Sequence, residues 1–275
     1  MIVVTGATGN VGRPLVRALV DAGEQVTAVS RRISARDVPA GTPVRQADLG
    51  EPESLEPALE GAKALFLLTS GDFMAAGGDL AAVLEVVRAS GVRRVVLLSS
   101  LGVGTGNLPP GLEHAVRDSG LDWTILRSGG FHANAFAWAD MIRTRREVAA
   151  PFGDVALPTV DPADVAEVAS VALREPGHDG IVHELTGPAP VSPRQQTAAI
   201  EGAIGEAVRF LELTRAQARE RMLVAMPEPV VESTLDMLGT PAPALRQVSP
   251  DVERILGRPG RSFEEWARQH VGAFK

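Results

Sequence analysis

Three glycines, Gly6, Gly9 and Gly12, recur at every third position between an apolar run, Met1–Val4, and an amphipathic helical stretch. In a dinucleotide site, one such glycine permits a tight turn and one lets the backbone approach a pyrophosphate. The third lets the helix pack closely on the strand. The N-terminus of the helix then offers N–H groups and a partial positive charge to the phosphates. The stretch predicts a nucleotide-binding turn that includes Gly6, Thr8, Gly9, Asn10 and Val11.

The end of the next strand-like segment, Gln25–Ser30, carries two arginines, Arg31 and Arg32. An NAD site commonly places a carboxylate here for the ribose 2′-hydroxyl, whereas arginine suits a 2′-phosphate through its charge and bidentate geometry. The pair therefore favours NADP(H) over NAD(H). The alternative is two solvated arginines in a loop.

Polar residues also follow the later strand-like segments. Asp48 and Leu49 follow the third strand-like segment, Val44–Ala47. In such folds a residue at this position often lies beside the adenine. An aspartate that caps the next helix would look the same in the sequence. Thr69 and Ser70 follow the apolar run Ala64–Leu68. Open parallel sheets bind ligands at the carboxyl ends of their strands. We therefore expect these residues, and Ser99 at the end of the next strand, to contribute to the cofactor site.

The elements that must position these residues alternate between strand and helix along the first two thirds of the chain. Successive βα units predict a doubly wound parallel sheet of the Rossmann type. After Gly187-Pro188 the sequence becomes helix-rich and proline-punctuated. We expect a Rossmann domain over 1–186 and a smaller C-terminal α+β substrate region over 187–275, which could interleave with 130–186.

Bulky side chains that could line a substrate cleft lie in two stretches, Phe73-Met74 and Phe136 to Trp138. Aromatic residues at helical spacing are more often core than pocket, so packing is the alternative interpretation.

The composition restricts the function further. The 275 residues contain no cysteine, which excludes disulfides and thiol chemistry and favours a cytoplasmic location. A net charge of −7 argues against a nucleic-acid surface, and no apolar run is long enough to span a membrane. His178 and His183 have no nearby carboxylate at ligand spacing, so no metal site is expected.

Several motifs together resemble the NmrA-like atypical short-chain dehydrogenases, including their NAD(P)H:quinone oxidoreductase members. They cover almost the whole chain, and they are Thr5–Gly12, Glu113 with Ser119–Arg127, Phe131 with Asn134, Val160–Ala166 and Gly257–Ala267. The resemblance implies NADP(H) phosphates on Gly6 to Val11, the adenosine phosphate near Arg31, and Thr69 and Ser70 in the cofactor groove. It implies that Ser128, Gly129, Gly130 and Phe131 approach the nicotinamide.

Proton donors are scarce in this chain. The better-known short-chain dehydrogenases use a tyrosine four residues before a lysine, but this chain has no tyrosine, and its lysines are Lys63 and Lys275. His114 and His132 are the remaining candidate proton donors. The alternative for His114 is an exposed position on a helix surface, and the alternative for His132 is a packing role. His132 also follows the expected nicotinamide segment and is a candidate substrate residue.

A quinone acceptor suits a site without a strong acid. Hydride transfer to a quinone gives a hydroquinone anion, whose phenol pKa of roughly 10 makes it a weaker base than an alkoxide. The sequence therefore favours an NADPH-dependent reductase of a quinone or aromatic polyketide-like carbonyl. The alternatives are an NADP(H)-sensing regulatory protein that binds a protein partner and, less favoured, a C=C or azo reductase.

Overall fold

The computed structural model describes all 275 residues, and the chain divides into two units. Unit 1 comprises Met1–Ser128, Pro162–Leu185 and Arg254–Gly257; unit 2 comprises Gly129–Asp161, Thr186–Glu253 and Arg258–Lys275. The predicted boundary after residue 186 lies one residue beyond the second stretch of unit 1. Of the region expected to interleave, 130–186, residues 130–161 belong to unit 2.

Nine strands are formed: β1 (Ile2–Val4), β2 (Val26–Ser30), β3 (Val44–Gln46), β4 (Ala64–Leu67), β5 (Arg94–Ser100), β6 (Asp122–Ser128), β7 (Glu147–Pro151), β8 (Ile181–Leu185) and β9 (Arg209–Leu213). Unit 1 holds a seven-stranded parallel sheet in the order β3-β2-β1-β4-β5-β6-β8. All residues of β1 and β4 are buried, as expected for strands covered by helices on both faces. The predicted Rossmann sheet is confirmed.

The helices are α1 (Gly12–Asp21), α2 (Glu56–Leu59), α3 (Gly71–Ala75), α4 (Leu80–Ala89), α5 (Leu101–Gly104), α6 (Gly111–Asp118), α7 (Ala139–Arg145), α8 (Pro162–Arg174), α9 (Pro193–Ile204), α10 (Arg215–Met222), α11 (Glu228–Gly239), α12 (Asp251–Leu256) and α13 (Phe263–Gln269). Short 3₁₀ helices cover Pro52–Leu55, His132–Trp138, Pro243–Arg246 and Val271–Ala273. None of the helices combines the length and apolar character needed to cross a bilayer.

The strand order places the candidate site within unit 1. From β1 the chain builds outward through β2 and β3, then returns to the other side of β1 with β4 and β5. The reversal between β1 and β4 is a topological switch point, where the loops after neighbouring strands diverge and leave a crevice at the carboxyl ends. The glycine turn lies in this position because it directly follows β1.

Unit 2 has a core of its own around Trp266 and Phe274, with a two-stranded parallel sheet that pairs Val148 of β7 with Phe210 of β9. β7 was not predicted from the sequence, because Glu147–Pro151 has only one β-branched residue. The 3₁₀ helix His132–Trp138 leads directly into α7 of the same unit.

Candidate cofactor and active site

The glycine turn has a conformation that larger residues would disrupt. Gly6 has φ +62°, in the left-handed region that favours glycine. Gly12, the first residue of α1, lies so close to the turn that a Cβ there would stand 2.1 Å from the Gly6 carbonyl oxygen. Gly12 therefore lets α1 pack against the turn, as the spacing predicted.

Thr5 fixes the opposite wall of the crevice. Its hydroxyl donates to the carbonyl oxygen of Phe66 at 3.0 Å and accepts from the N–H of Leu68 at 2.9 Å. The two bonds hold the exit of β4 against the exit of β1, where regular strand pairing has ended. Sequence reasoning did not single out Thr5 as a site residue, since its role depends on which strand lies next to it.

A cavity of about 200 Å³ opens at this point, within unit 1. Seven of the predicted cofactor residues line it: Gly6, Thr8, Gly9, Arg31, Asp48, Leu49 and Ser70. Six further lining residues were not predicted: Thr5, Val29, Ser30, Ala47, Leu55 and Leu68. Most of these six lie at the carboxyl ends of β1 to β4. They could have been predicted from the sequence, because they are next to the predicted residues at the same strand ends.

The N-terminus of α1 fits a phosphate ligand. No side chain caps this ten-residue helix, and its N-cap position is occupied by the apolar Val11. The first-turn N–H groups of a helix have no partner within the helix. In α1, Arg13 donates its N–H to the Gly9 carbonyl oxygen and Pro14 has no N–H, so the remaining N–H groups at this end and the helix dipole favour an anion. The glycine turn and this helix terminus therefore suit a dinucleotide pyrophosphate.

Arg31 and Asp48 lie on two walls of the cavity. The Arg31 guanidinium forms an ion pair with Asp72 of α3, with an N–O distance of 2.9 Å. The Asp48 carboxylate accepts a hydrogen bond from the N–H of Gly50 at 3.0 Å, which forms a local turn rather than a helix cap. Thr8 and Ser30 share a hydrogen bond of 3.1 Å between their hydroxyls, which ties the glycine turn to the end of β2.

The other predicted cofactor residues lie outside the lining of this cavity. Within unit 1 they are Asn10, Val11, Arg32, Thr69, Ser99 and Ser128; within unit 2 they are Gly129, Gly130 and Phe131. Ser99 and Ser128 are neighbours, since the Ser128 hydroxyl donates to the Ser99 carbonyl oxygen at 3.3 Å. Their contact with a cofactor stays a prediction.

A buried ion pair joins α6 to the ends of β5 and β6. The Glu113 carboxylate, with 1% of its side chain exposed, accepts two hydrogen bonds from Arg127, at 2.9 and 2.7 Å. It also accepts one from the Ser99 hydroxyl at 2.8 Å. Burial alone would raise the pKa of Glu113, but the hydrogen bonds from Arg127 and Ser99 and the charges of Arg127 and Arg117 outweigh it and lower the pKa. The Ser99 hydroxyl proton is thereby held by a carboxylate.

The two candidate proton donors differ in their surroundings. His114 lies exposed on α6. His132 is buried, with Nδ1 2.9 Å from the Thr159 hydroxyl and Nε2 3.3 Å from the Arg261 carbonyl oxygen. A carbonyl can only accept, so Nε2 carries the proton that it receives. These contacts favour the packing alternative for His132.

The candidate substrate side chains mostly pack against protein. Phe73 is buried in the core of unit 1, whereas Met74 is 45% exposed. Phe136 packs on Trp266 with ring centroids 4.9 Å apart, and Trp138 is half-buried against the same core. Packing thus accounts for Phe73 and Phe136, and leaves Met74 as the most accessible of the set.

His178 and His183 contact one another, with Nδ1 and Nε2 3.0 Å apart. No group of three or more histidines, aspartates or glutamates in the structure could hold a metal ion.

Comparison with known proteins identifies the family. Residues 6–176 match the NAD(P)H-binding family model. The chain is 37% identical to a (4-alkanoyl-5-oxo-2,5-dihydrofuran-3-yl)methyl phosphate reductase of Streptomyces griseus, over 100% of this chain and 99% of that protein. It is 32% identical to an NAD(P)H azoreductase of Xenophilus azovorans, over the same shares.

A solved structure agrees with these relatives. The crystal structure of the NADPH-dependent quinone oxidoreductase of Escherichia coli, complexed with NADPH, matches with a TM-score of 0.82 and 26% identity, covering 98% of this chain and 99% of that one. The resemblance to the NmrA-like group with its quinone oxidoreductases is confirmed, as is the predicted cofactor at the level of NAD(P)H. The chain belongs to the NAD(P)H-binding family and is an oxidoreductase, with a quinone oxidoreductase among its structural neighbours.

Proposed function

We propose that this protein is an NADPH-dependent reductase whose acceptor is a quinone or an aromatic polyketide-like carbonyl. The observation that carries the proposal is the absence of a positioned acid. The chain has no tyrosine, both ring nitrogens of His132 are engaged, and the Ser99 proton is held by Glu113. A small-molecule substrate accords with the relatives, and the aromatic acceptor is the finer part of the proposal.

The chain's own residues divide the task of holding the cofactor. The glycine turn and the N-terminus of α1 would bind the pyrophosphate, Arg31 and Arg32 the 2′-phosphate, and Asp48 and Leu49 the adenine side of the cavity. When bound, NADPH supplies a hydride. Fixing two reactants in reacting geometry can itself lower a barrier by several kcal/mol, so positioning is the main contribution that we assign to the protein.

The acceptor must then be one whose reduced form can be protonated without a strong general acid from the protein. A reduced quinone carries its charge on a phenolic oxygen with a pKa of roughly 10, so water can protonate it. An aliphatic ketone would leave a far more basic alkoxide and would require a general acid near the operating pH. This difference explains why the chain can function without the tyrosine–lysine pair.

Reduction of a conjugated C=C bond is the second candidate, and the relative from Streptomyces griseus favours it. That protein is named for a dihydrofuranone that carries both an alkanoyl and an oxo group. If hydride were added to such a double bond, the charge would spread over two carbonyl oxygens and form another weak base. Both candidates share an acceptor that needs no strong acid.

A panel of acceptors tests the proposal. We expect steady-state NADPH oxidation with quinones, with acyl-furanones as the second candidate and azo dyes as the third, and little turnover with aliphatic ketones. Turnover of aliphatic ketones alone would contradict the proposal. Tight NADPH binding without turnover of any acceptor would favour the sensing alternative. The cytoplasmic location stays a prediction.

The cofactor preference has its own test. Replacing both Arg31 and Arg32 with alanine should weaken NADPH binding about 100-fold, because charge-assisted hydrogen bonds to a phosphate are lost. NADH binding should change little. Arg88→Ala, which removes an exposed arginine of α4, is the matched control. Equal losses for both cofactors would rule out the 2′-phosphate assignment.

A further inference from the structure

An ion pair joins Arg31, which lines the cofactor cavity, to Asp72, which lies outside the lining. Arg31 directly follows β2, and Asp72 lies in α3, two residues after Ser70. Because β2 and β4 flank β1 in the sheet, the pair crosses the carboxyl end of β1, where the glycine turn begins. Arg31 and Ser70 both line the cavity.

The pair is poorly shielded from water. The Arg31 side chain is 50% exposed and that of Asp72 is 76% exposed, at an N–O distance of 2.9 Å. Exposed ion pairs contribute little to stability, because solvent screens the charges and two long side chains must be ordered. An incoming anion can therefore displace Asp72 at small cost.

A nucleotide 2′-phosphate is such an anion. It carries a charge between −1.5 and −2 near neutral pH, by analogy with other phosphate monoesters, and it offers the guanidinium bidentate hydrogen bonds that are stronger than those to a single carboxylate oxygen. The Asp72 carboxylate competes for Arg31 and also repels a phosphate bound beside it. The Asp48 carboxylate, on another wall, is already engaged by Gly50.

We propose that Asp72 is a specificity-determining residue, an internal counter-ion of Arg31 that the 2′-phosphate must displace. The inference rests on the proposed assignment of Arg31 to that phosphate. NAD(H) lacks the phosphate and leaves the pair intact. Asp72 therefore reduces the preference for NADP(H) over NAD(H) and brings the affinities for the two cofactors closer together.

Calorimetric dissociation constants for NADP⁺ and NAD⁺ test this without any turnover. Asp72→Asn is expected to tighten NADP⁺ binding roughly threefold to tenfold at low ionic strength, with a smaller gain at high salt because the charges are exposed. NAD⁺ binding should stay within about twofold, the range of a weak exposed interaction. Glu85→Gln, which removes the same charge from an exposed position on α4, should change neither.

Parallel shifts for both nucleotides, or weaker NADP⁺ binding in Asp72→Asn, would overturn the inference. Arg31→Ala separates it from the cofactor assignment. If Arg31→Ala weakens NADP⁺ binding but Asp72→Asn does not tighten it, the role of Asp72 alone is wrong. If Arg31→Ala leaves NADP⁺ binding unchanged, the phosphate assignment falls, and the inference with it.

Discussion

Gly12→Ala is expected to abolish tight dinucleotide binding, with a loss of about 100-fold or more in NADPH affinity. The added Cβ would stand 2.1 Å from the Gly6 carbonyl oxygen and 2.8 Å from the Ala7 Cα. These backbone atoms of the turn cannot yield as a flexible side chain would, so α1 must move away from the turn. The N–H groups that we assign to the pyrophosphate would move with it. Titration of NADPH fluorescence measures the loss.

Gly111→Ala is the matched control for this variant. Gly111 begins α6, has no atom within 4 Å of an added Cβ, and does not have a positive φ. Its replacement should leave binding unchanged and leave stability equal or slightly higher, because alanine restricts the unfolded chain. Wild-type NADPH affinity in Gly12→Ala would show that the close contact does not define the phosphate site.

Glu113→Gln is expected to destabilise unit 1 by about 3 kcal/mol, because it leaves the largely buried Arg127 guanidinium without the carboxylate to which it is hydrogen-bonded. Arg127 donates two hydrogen bonds to that carboxylate, and its side chain is only 18% exposed. Thermal unfolding should show a decrease of roughly 6 to 10 °C for a loss of this size. Ser99 would also lose its charged acceptor.

The loss of stability in Glu113→Gln should become smaller as the pH falls into the acid range. Because the folded-state pKa of Glu113 lies below the ordinary value of 4.5, its stabilisation is complete above that value. It disappears as the pH falls from there through the folded-state pKa. The gap between wild type and variant should therefore be constant near neutrality and narrow in acid. Glu232→Gln, in the exposed network with Arg215 and Arg219, should have a much smaller effect, and equal effects would contradict the assigned burial.

The sheet and the glycine turn were predictable because their signals are local. Gly6, Gly9 and Gly12 sit at fixed spacing, and apolar runs such as Ala64–Leu68 mark strands buried on both faces. The position of Arg31 in the cavity lining could be predicted from its place at the end of a strand. Each of these inferences needed only neighbouring residues and the rule that parallel strands present their carboxyl ends together.

Contacts between residues that are far apart along the chain could not be predicted from the sequence. The bond from Ser99 to Glu113 joins residues 14 apart, and the contacts of His132 with Thr159 and Arg261 span 27 and 129 residues. Nothing near His132 in the chain indicates that its ring nitrogens are engaged. Asp72 was likewise missed, because its pairing with Arg31 depends on α3, a five-residue helix with weak sequence signals.

Single-turnover oxidation of bound NADPH by a quinone, followed from about pH 5.5 to about 8.5, tests the central claim most directly, since a histidine would titrate within that range. The account predicts rapid oxidation at a rate that is nearly independent of pH, in wild type and in His132→Asn alike. Bound NADPH that no quinone oxidises would contradict it. So would a rate that follows a single titration and collapses when His132 is replaced.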